Sequence, residues 1–377
     1  MTDQQCCIAG VGITASGSHE GRSTVSLNVE ACRQALADAG VEKDLVDAVY
    51  VKFPTSRLEM MYGVSMAEAL GVDGPTIAGS WDQGGASNVS MIDQASQAIR
   101  SGEIEVALVC GADNPRTGTR QAYEKAGGID AVHGWAGVAP GYAMIARRYL
   151  HDYGLSADDL APFAVAARKH GAANPAAQLR KPLTEEAYRE EDFIVEPLRR
   201  SDICLVSDGG AAVVVMSTAR AAELSVGNPV PILGIGVAQE ARDVARRTNL
   251  TKTAAGRSGA QAFAAAGVTP EQIDVAQLYD CFSVVPSMTL EQYGFCGEGQ
   301  GPAFARSEGI EQGGRLPINT SGGLLSETGM PGMQMVIEGV RQLRGESTSQ
   351  QPGASTCVVS NQGGIMTTHA TMILGVR

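Results

Sequence analysis

The 377-residue sequence predicts a duplicated α/β fold, and three observations lead there. Strand-like apolar runs alternate with amphipathic helical ones along both halves, which implies helical crossovers and mostly parallel sheets. A glycine-rich turn opens a striped helix twice, in SWDQGGASNVSMIDQASQAIRSGEIEVALVCGADN and again in LPINTSGGLLSETGMPGMQMVIEGVRQLRG. A second block, Ala35-Leu36-Ala37-Asp38-Ala39-Gly40-Val41, returns as Ala262-Phe263-Ala264-Ala265-Ala266-Gly267-Val268, with Asp47 and Asp274 equally far downstream. Two matched blocks in the same order make duplication the better account. The chemistry is expected where the two glycine turns meet.

The elements follow in order. A strand over 6–13 leads to an alanine-rich helix over 26–39, stopped by Gly40. Strand 48–52, helix 90–101 and strand 106–111 complete the first set. An insertion over 115–199 carries helical GYAMIARRYLHDYG and LAPFAVAARKHGAANP, then the polar stretch LRKPLTEEAYREEDF. SDGGAAVVVMS returns the chain to the sheet, with Asp208-Gly209-Gly210 as the turn. The second set has strands at 230–237, 275–280, 354–360 and 371–376, and helices at 253–266 and 332–343. The expected division is 1–228, including the insertion 115–199, and 229–377. The length exceeds the roughly 100–200 residues of one typical domain.

Composition narrows the function. A net charge of −12 with no basic tract argues against nucleic acid. No apolar run approaches the roughly 18 residues of a membrane span. MTDQQCCIAGVGIT enters a strand at once, without a signal-peptide pattern, so a cytoplasmic protein is expected. The eight cysteines form no CxxC, which fits reduced thiols. The five histidines lack metal spacing, so no metal is expected.

The ordered set SDGGAA, YDCFS, FCGEGQG, NTSGGLLSE, a helix and a C-terminal glycine-pair strand resembles the thiolase superfamily, nearest its sterol-carrier-protein-X branch. The resemblance covers almost the whole chain. It implies a thiolase fold, a duplicated αβαβα five-layered core with an inserted loop domain. It also implies homodimerisation and a coenzyme A thioester as substrate, with no tightly bound cofactor.

The departures carry as much information. Family thiolases activate a cysteine at a helix N-terminus; here Gly85 stands in its place. The usual histidine of the second-half motif is replaced by Met330, or by Gly329 if no gap is allowed. Asn361 and Gln362 stand near the usual acid/base cysteine. Acyl-cysteine chemistry is therefore not expected. Glycine at the nucleophile position, YDxFS and GGxLSE together resemble the lipid-transfer-protein-type aldolases of steroid side-chain degradation. That branch cleaves β-hydroxyacyl-CoA by a retro-aldol reaction, commonly with a small zinc-ribbon/OB-fold partner. This chain departs from it in SETGMPGM, where such proteins often place Tyr or His after SE.

A retro-aldol step needs a base for the β-hydroxyl proton and a sink for the enolate. Tyr279 is the first candidate; a free phenol titrates near 10, so it needs help to act as a base. Its other reading is a buried tyrosine with a satisfied hydroxyl. Asp280 is a site candidate or a holder of the turn. Glu327 is a base or a helix cap through its neighbouring serine. His369 points into the site or into the core, and His133 lines an acyl tunnel or lies on the insertion surface. Gly84, Gly85, Gly323 and Gly364 are candidates for substrate and oxyanion contacts through backbone amides. Cys281 reads as a core thiol. Arg147, Arg148, Arg168 and Lys169 meet CoA phosphates or form solvated helix faces. Three functions remain: acyl-CoA aldolase, acyltransferase through an unusual cysteine such as Cys281, and a non-catalytic acyl-CoA-binding scaffold. The dimer is expected to pair through strands near 106–111, with the glycine turns at 84 and 323 facing each other.

Overall fold

The computed structural model describes residues 5–57, 59–118, 132–135, 137–241, 244–329 and 332–376. Its strands are β1 (Cys6–Ile13), β2 (Ala48–Lys52), β3 (Ile77–Trp81), β4 (Val106–Asp113), β5 (Phe193–Val195), β6 (Leu198–Arg199), β7 (Gly209–Ser217), β8 (Val230–Gln239), β9 (Val275–Gln277), β10 (Thr356–Gly363) and β11 (Thr368–Gly375). The helices that matter here are α1 (Thr24–Ala39), α2 (Tyr62–Leu70), α3 (Ser87–Ser101), α4 (Ala139–Tyr153), α5 (Ala161–Ala173), α6 (Ala255–Ala266), α7 (Val284–Gln292), the single turn α8 (Gly323–Ser326) and α9 (Met333–Arg344).

The main strands run in the order β3-β2-β4-β7-β1-β8-β11-β10-β9, and β5–β6 form a separate ribbon. The two halves of the sheet join only through Cys7↔Pro231 and Ile8↔Val230. Three buried clusters divide the layers. Outer helices α1 and α2 cover the first half-sheet. Helices α3 and α9 lie between the half-sheets and touch strands of both. Helix α6 covers the far face of the second half-sheet. The result is the αβαβα thiolase fold, with α3 and α9 as its central layer.

The expectation of mostly parallel sheets is corrected. Only β2–β3, β2–β4 and β9–β10 pair in parallel; the other neighbours in the main sheet are antiparallel. The physical reason is connection type. Strand β7 returns from the insertion, and β10 and β11 are joined by a tight turn rather than a helical crossover.

The duplication is visible in how helices dock. A Cβ on Gly10 would stand 2.7 Å from Ala39 N, and one on Gly234 2.7 Å from Ala266 N. Gly12 and Gly236 meet Ala35 and Ala262 in the same way. Glycines on β1 and β8 thus let α1 and α6 approach until backbones touch. Ile13 N donates to Gln34 Oε1 and Val237 N to Gln261 Oε1, both at 3.1 Å. Asp47 accepts from Glu105 N and Val106 N, as Asp274 does from Ser355 N and Thr356 N. Each aspartate ties one strand's entry to the next.

Among the described residues, no helix is long and apolar enough to cross a membrane.

Candidate active site

The central layer places two helix starts and one hairpin turn together. Helix α3 begins after Gln83-Gly84-Gly85. Ser87 organises that turn: its Oγ accepts from Gln83 N at 2.8 Å and donates to the Gly84 carbonyl at 2.7 Å. The hairpin turn between β10 and β11 lies against it. A Cβ on Gly84 would come within 2.9 Å of Gly363 Cα and 3.0 Å of Gly364 N. Thr368 Oγ1 bridges the two turns by donating to the Gln83 carbonyl at 3.0 Å. Helix α9 joins from the other side: Asn361 Nδ2 donates to the Gly332 carbonyl at 3.2 Å. The expected meeting of the turns at 84 and 323 is therefore corrected. Gly84 faces Gly363 and Gly364, and the long second-half helix starts at Met333 rather than near Gly323.

Tyr279 enters this junction two residues after β9. Its backbone N–H donates to Ser360 Oγ at 3.0 Å, and the residue is 8% exposed. The phenol lies directly on Gly85. A Cβ there would stand 2.6 Å from Tyr279 Cζ, and would also overlap the Tyr279 hydroxyl and the Gln362 carbonyl. The space next to position 85 thus holds a phenol oxygen.

Asp280 turns the other way. Its Oδ1 accepts from Leu324 N at 2.7 Å, and its Oδ2 is buried without a hydrogen-bond partner. Burial pushes the carboxyl up to about 7, against the opposing pull of the Leu324 N–H. The carboxylate lies against Gly323 Cα. The Asp280 carboxyl thus fills the space on the Cβ side of Gly323. Gly84 is corrected as a free amide donor: its N–H is taken by Asp82 Oδ1 at 3.0 Å.

The segment after Tyr279 is pinned from the insertion. Ile203 and Phe282 form an antiparallel bridge, and Cys204 N donates to the Cys281 carbonyl at 3.0 Å. Ser283 donates through N to the Asp202 carbonyl at 3.0 Å and through Oγ to Asp202 Oδ1 at 2.5 Å. Burial raises Asp202 to about 6, opposed by Ser283 and the Arg199 N–H. The Cys281 thiol is buried, which raises it well above its ordinary value.

Glu327 sits in a different polar pocket. Its Oε2 accepts from Ser321 Oγ at 2.5 Å and its Oε1 from Asn174 Nδ2 at 3.4 Å. Burial raises it to about 7, and nearby Glu338 adds to the rise. The capping alternative is corrected: the N-cap of α9 is Gly332, with no side-chain cap. His369 lies on β11 among residues facing α6, and its Nε2 meets the Tyr293 hydroxyl at 3.0 Å. Burial pushes it down to about 3. Its even-numbered neighbours Ala370 and Met372 face the central layer instead, so strand alternation turns His369 away from Tyr279. His133 is solvent-exposed rather than enclosed in the site. Met330 lies outside the described residues. Arg147 pairs with Glu196 at 2.9 Å and Arg148 with Asp152 at 2.7 Å, while Lys169 pairs with Glu311. Arg168 Nε donates to Ser326 Oγ at 3.2 Å.

Three residues, Tyr142, His170 and Asn174, escaped the sequence reading. Tyr142 donates its hydroxyl to the Gly364 carbonyl at 3.0 Å, and Gln362 Nε2 donates to that hydroxyl at 2.6 Å. His170 accepts from Gln312 N at Nε2, which leaves Nδ1–H to donate to the Asn319 carbonyl at 3.1 Å. The spacing of His170 in the last turn of α5 and Asn174 at its C-cap was the available signal: both grip the NTSGG loop.

Known proteins match along most of the chain. Family models for "Thiolase, N-terminal domain" and "Thiolase C-terminal domain-like" match residues 7–219 and 236–376. The chain is 36% identical to the "17-hydroxy-3-oxo-4-pregnene-20-carboxyl-CoA lyase" of Mycobacterium tuberculosis, covering 100% of each. It is 35% identical to the "Steroid side-chain-cleaving aldolase" of Thermomonospora curvata, covering 98% of this chain and 97% of that protein. Among solved structures, an "Ltp2-ChsH2(DUF35) aldolase" superposes with TM-score 0.90 at 34% identity, covering 100% of this chain and 99% of the other.

Proposed function

The chain belongs to the thiolase family, and we propose that it is an acyl-CoA carbon–carbon lyase of the aldolase branch, cleaving a bulky β-hydroxyacyl-CoA with a steroid side chain. The observation that carries the reading is the Tyr279 phenol seated on Gly85. A thiolase nucleophile has no room at that position, while a proton-transferring hydroxyl is already there.

The reaction balances without an acyl-enzyme. A base takes the β-hydroxyl proton, the Cα–Cβ bond breaks, and its electron pair passes into the thioester as an enolate. Protonation at Cα then releases a shorter acyl-CoA, and the other fragment leaves as a ketone or aldehyde. Tyr279 is assigned to the hydroxyl proton or the enolate oxygen, and the backbone at Gly85 and Gly364 to the enolate. Asp280 and Glu327 hold the loops behind it. The acyltransferase alternative is weaker on geometry, because Cys281 is buried and its thiolate is disfavoured.

The proposal extends to assembly. A small zinc-ribbon/OB-fold protein is the expected second component; the two-component description of the 34%-identical structure supports this. A homodimer is proposed through β3, not through strand 106–111. Strand β4 lies between β2 and β7 and has no free edge, so the earlier pairing is corrected.

The test is turnover on a panel of β-hydroxyacyl-CoA thioesters, steroid side chains included, with and without the candidate partner. Appearance of a carbonyl product and a shortened acyl-CoA is expected. Tyr279→Phe should lower kcat by about 10²–10⁴-fold with the fold intact. An acyl adduct on Cys281 would instead establish the acyltransferase reading.

A further inference from the structure

We infer that Tyr142 is a positioning residue for this reaction, holding the hairpin turn that sets Tyr279 against Gly85; the inference rests on the aldolase reading above. Tyr142 comes from α4 in the inserted segment, far in sequence from either glycine turn. Its hydroxyl nevertheless donates to the Gly364 carbonyl at 3.0 Å and accepts from Gln362 Nε2 at 2.6 Å. Its ring stacks on Phe282 with centroids 4.1 Å apart and an interplanar angle of 20°. Gln362 Oε1 accepts from Met366 N at 3.1 Å, and Gln362 Nε2 also reaches Cys281 Sγ at 3.0 Å. One phenol therefore ties three pieces together: the insertion, the hairpin turn, and the segment that carries Tyr279.

The turn matters because of what it touches. The Gln362 carbonyl and the Tyr279 hydroxyl crowd the same point beside Gly85, and the Gly363–Gly364 backbone lies on Gly84. Moving the turn moves the wall against which the Tyr279 hydroxyl rests. Tyr142 is itself a donor and not a base: it is buried, and burial raises its phenol well above the ordinary value. Removing its hydroxyl leaves the Gly364 carbonyl without that donor and the buried Gln362 amide without that acceptor.

The experiment is a double-mutant cycle run in the assembly that supports turnover. Tyr142→Phe keeps the stacked ring and removes only the hydroxyl. We expect kcat to fall about 10-fold or more, with KM for the thioester within about twofold of wild type. The double variant Tyr142→Phe/Tyr279→Phe should be no slower than Tyr279→Phe alone, because Tyr142 acts through Tyr279. A general structural loss would multiply in the double variant, and that outcome overturns the inference. An unchanged kcat in Tyr142→Phe overturns it too. If Tyr142→Phe does not fold, Gln362→Met removes the donor to the same oxygen and enters the same cycle with the same overturning outcomes. Full turnover in Tyr279→Phe alone removes Tyr279 from the reaction and this inference with it, whereas no cleavage by the wild type in that assembly sinks the aldolase reading itself, so the two failures are told apart.

Discussion

At the scale of single residues, the site is organised by what position 85 lacks. A methyl group there would overlap the Tyr279 hydroxyl and the Gln362 carbonyl, and the latter is backbone that cannot swing aside. Gly85→Ala is therefore expected to cost about 10²-fold or more in kcat/KM, through displacement of Tyr279 rather than loss of any group. Steady-state kinetics with circular dichroism as the fold control would check this; wild-type kinetics would mean the turns have slack. Glu327 supplies a second prediction. Burial raises its folded-state value to about 7, above the ordinary carboxyl value near 4.3. The folded state then holds a proton that the unfolded state has lost across that window, so stability falls as pH rises from about 4.5 to 7. Glu327→Gln removes the ionisation, so relative to wild type it should be better tolerated at pH 8 than at pH 5. Denaturant melts at the two values measure the difference, and an equal effect at both would show Glu327 unshifted. His369 acts in the opposite sense. Its value of about 3 lies below the ordinary 6.5, so its contribution is lost as pH falls below that value.

At the scale of elements, the sequence was legible wherever a pattern was local. The alanine-rich helices, their glycine stops and the matched aspartates were all readable, and the structure gives them a shared task. The glycines on β1 and β8 explain why the matched blocks are alanine-rich: only small residues allow such close helix docking. Gly234→Ala would place Cβ 2.7 Å from Ala266 N. Pushing α6 off β8 should destabilise by about 1–3 kcal/mol, the range for overpacking. Chemical denaturation reads it, and a loss below about 0.5 kcal/mol would mean the helix shifts freely. What was not legible depended on distant partners. Strand β3, IAGSW, lacks strict alternation because it lies half-buried at an edge. The β10–β11 hairpin was read as two strands with a wide gap, since its connection runs from Gly364 to Thr367 and is longer than the two-residue turn that Gly363-Gly364 would signal. His369 could not be assigned a face until the strand register was known. Tyr142 sits in a helix that looks ordinary in sequence, and only tertiary folding carries it to Gly364.

At the scale of the whole molecule, the free edges of the sheet decide how copies can meet. The main sheet ends at β3 and β9. Strand β9 is already covered: Ala276 N donates to the Pro317 carbonyl at 3.0 Å, and Asn319 N to the Ala276 carbonyl at 3.0 Å. Among the described residues, strand β3 pairs only with β2. Such an edge invites pairing unless it is blocked by charge, proline or a covering segment. Beside it the chain places apolar residues outward: Met60 is 86% exposed, Met61 71% and Val64 46%. They lie at the start of α2, whose Gly63 packs on the backbone of Ala78 and Gly79 in β3. An unpaired edge next to exposed apolar side chains supports the proposed dimer interface. A dimer is therefore expected by light scattering coupled to size exclusion. Met60→Lys/Val64→Lys places two charges in that interface and leaves the core untouched, so it should yield a folded monomer. A variant that stays dimeric would move the interface away from β3, and a monomeric wild type would remove the dimer altogether.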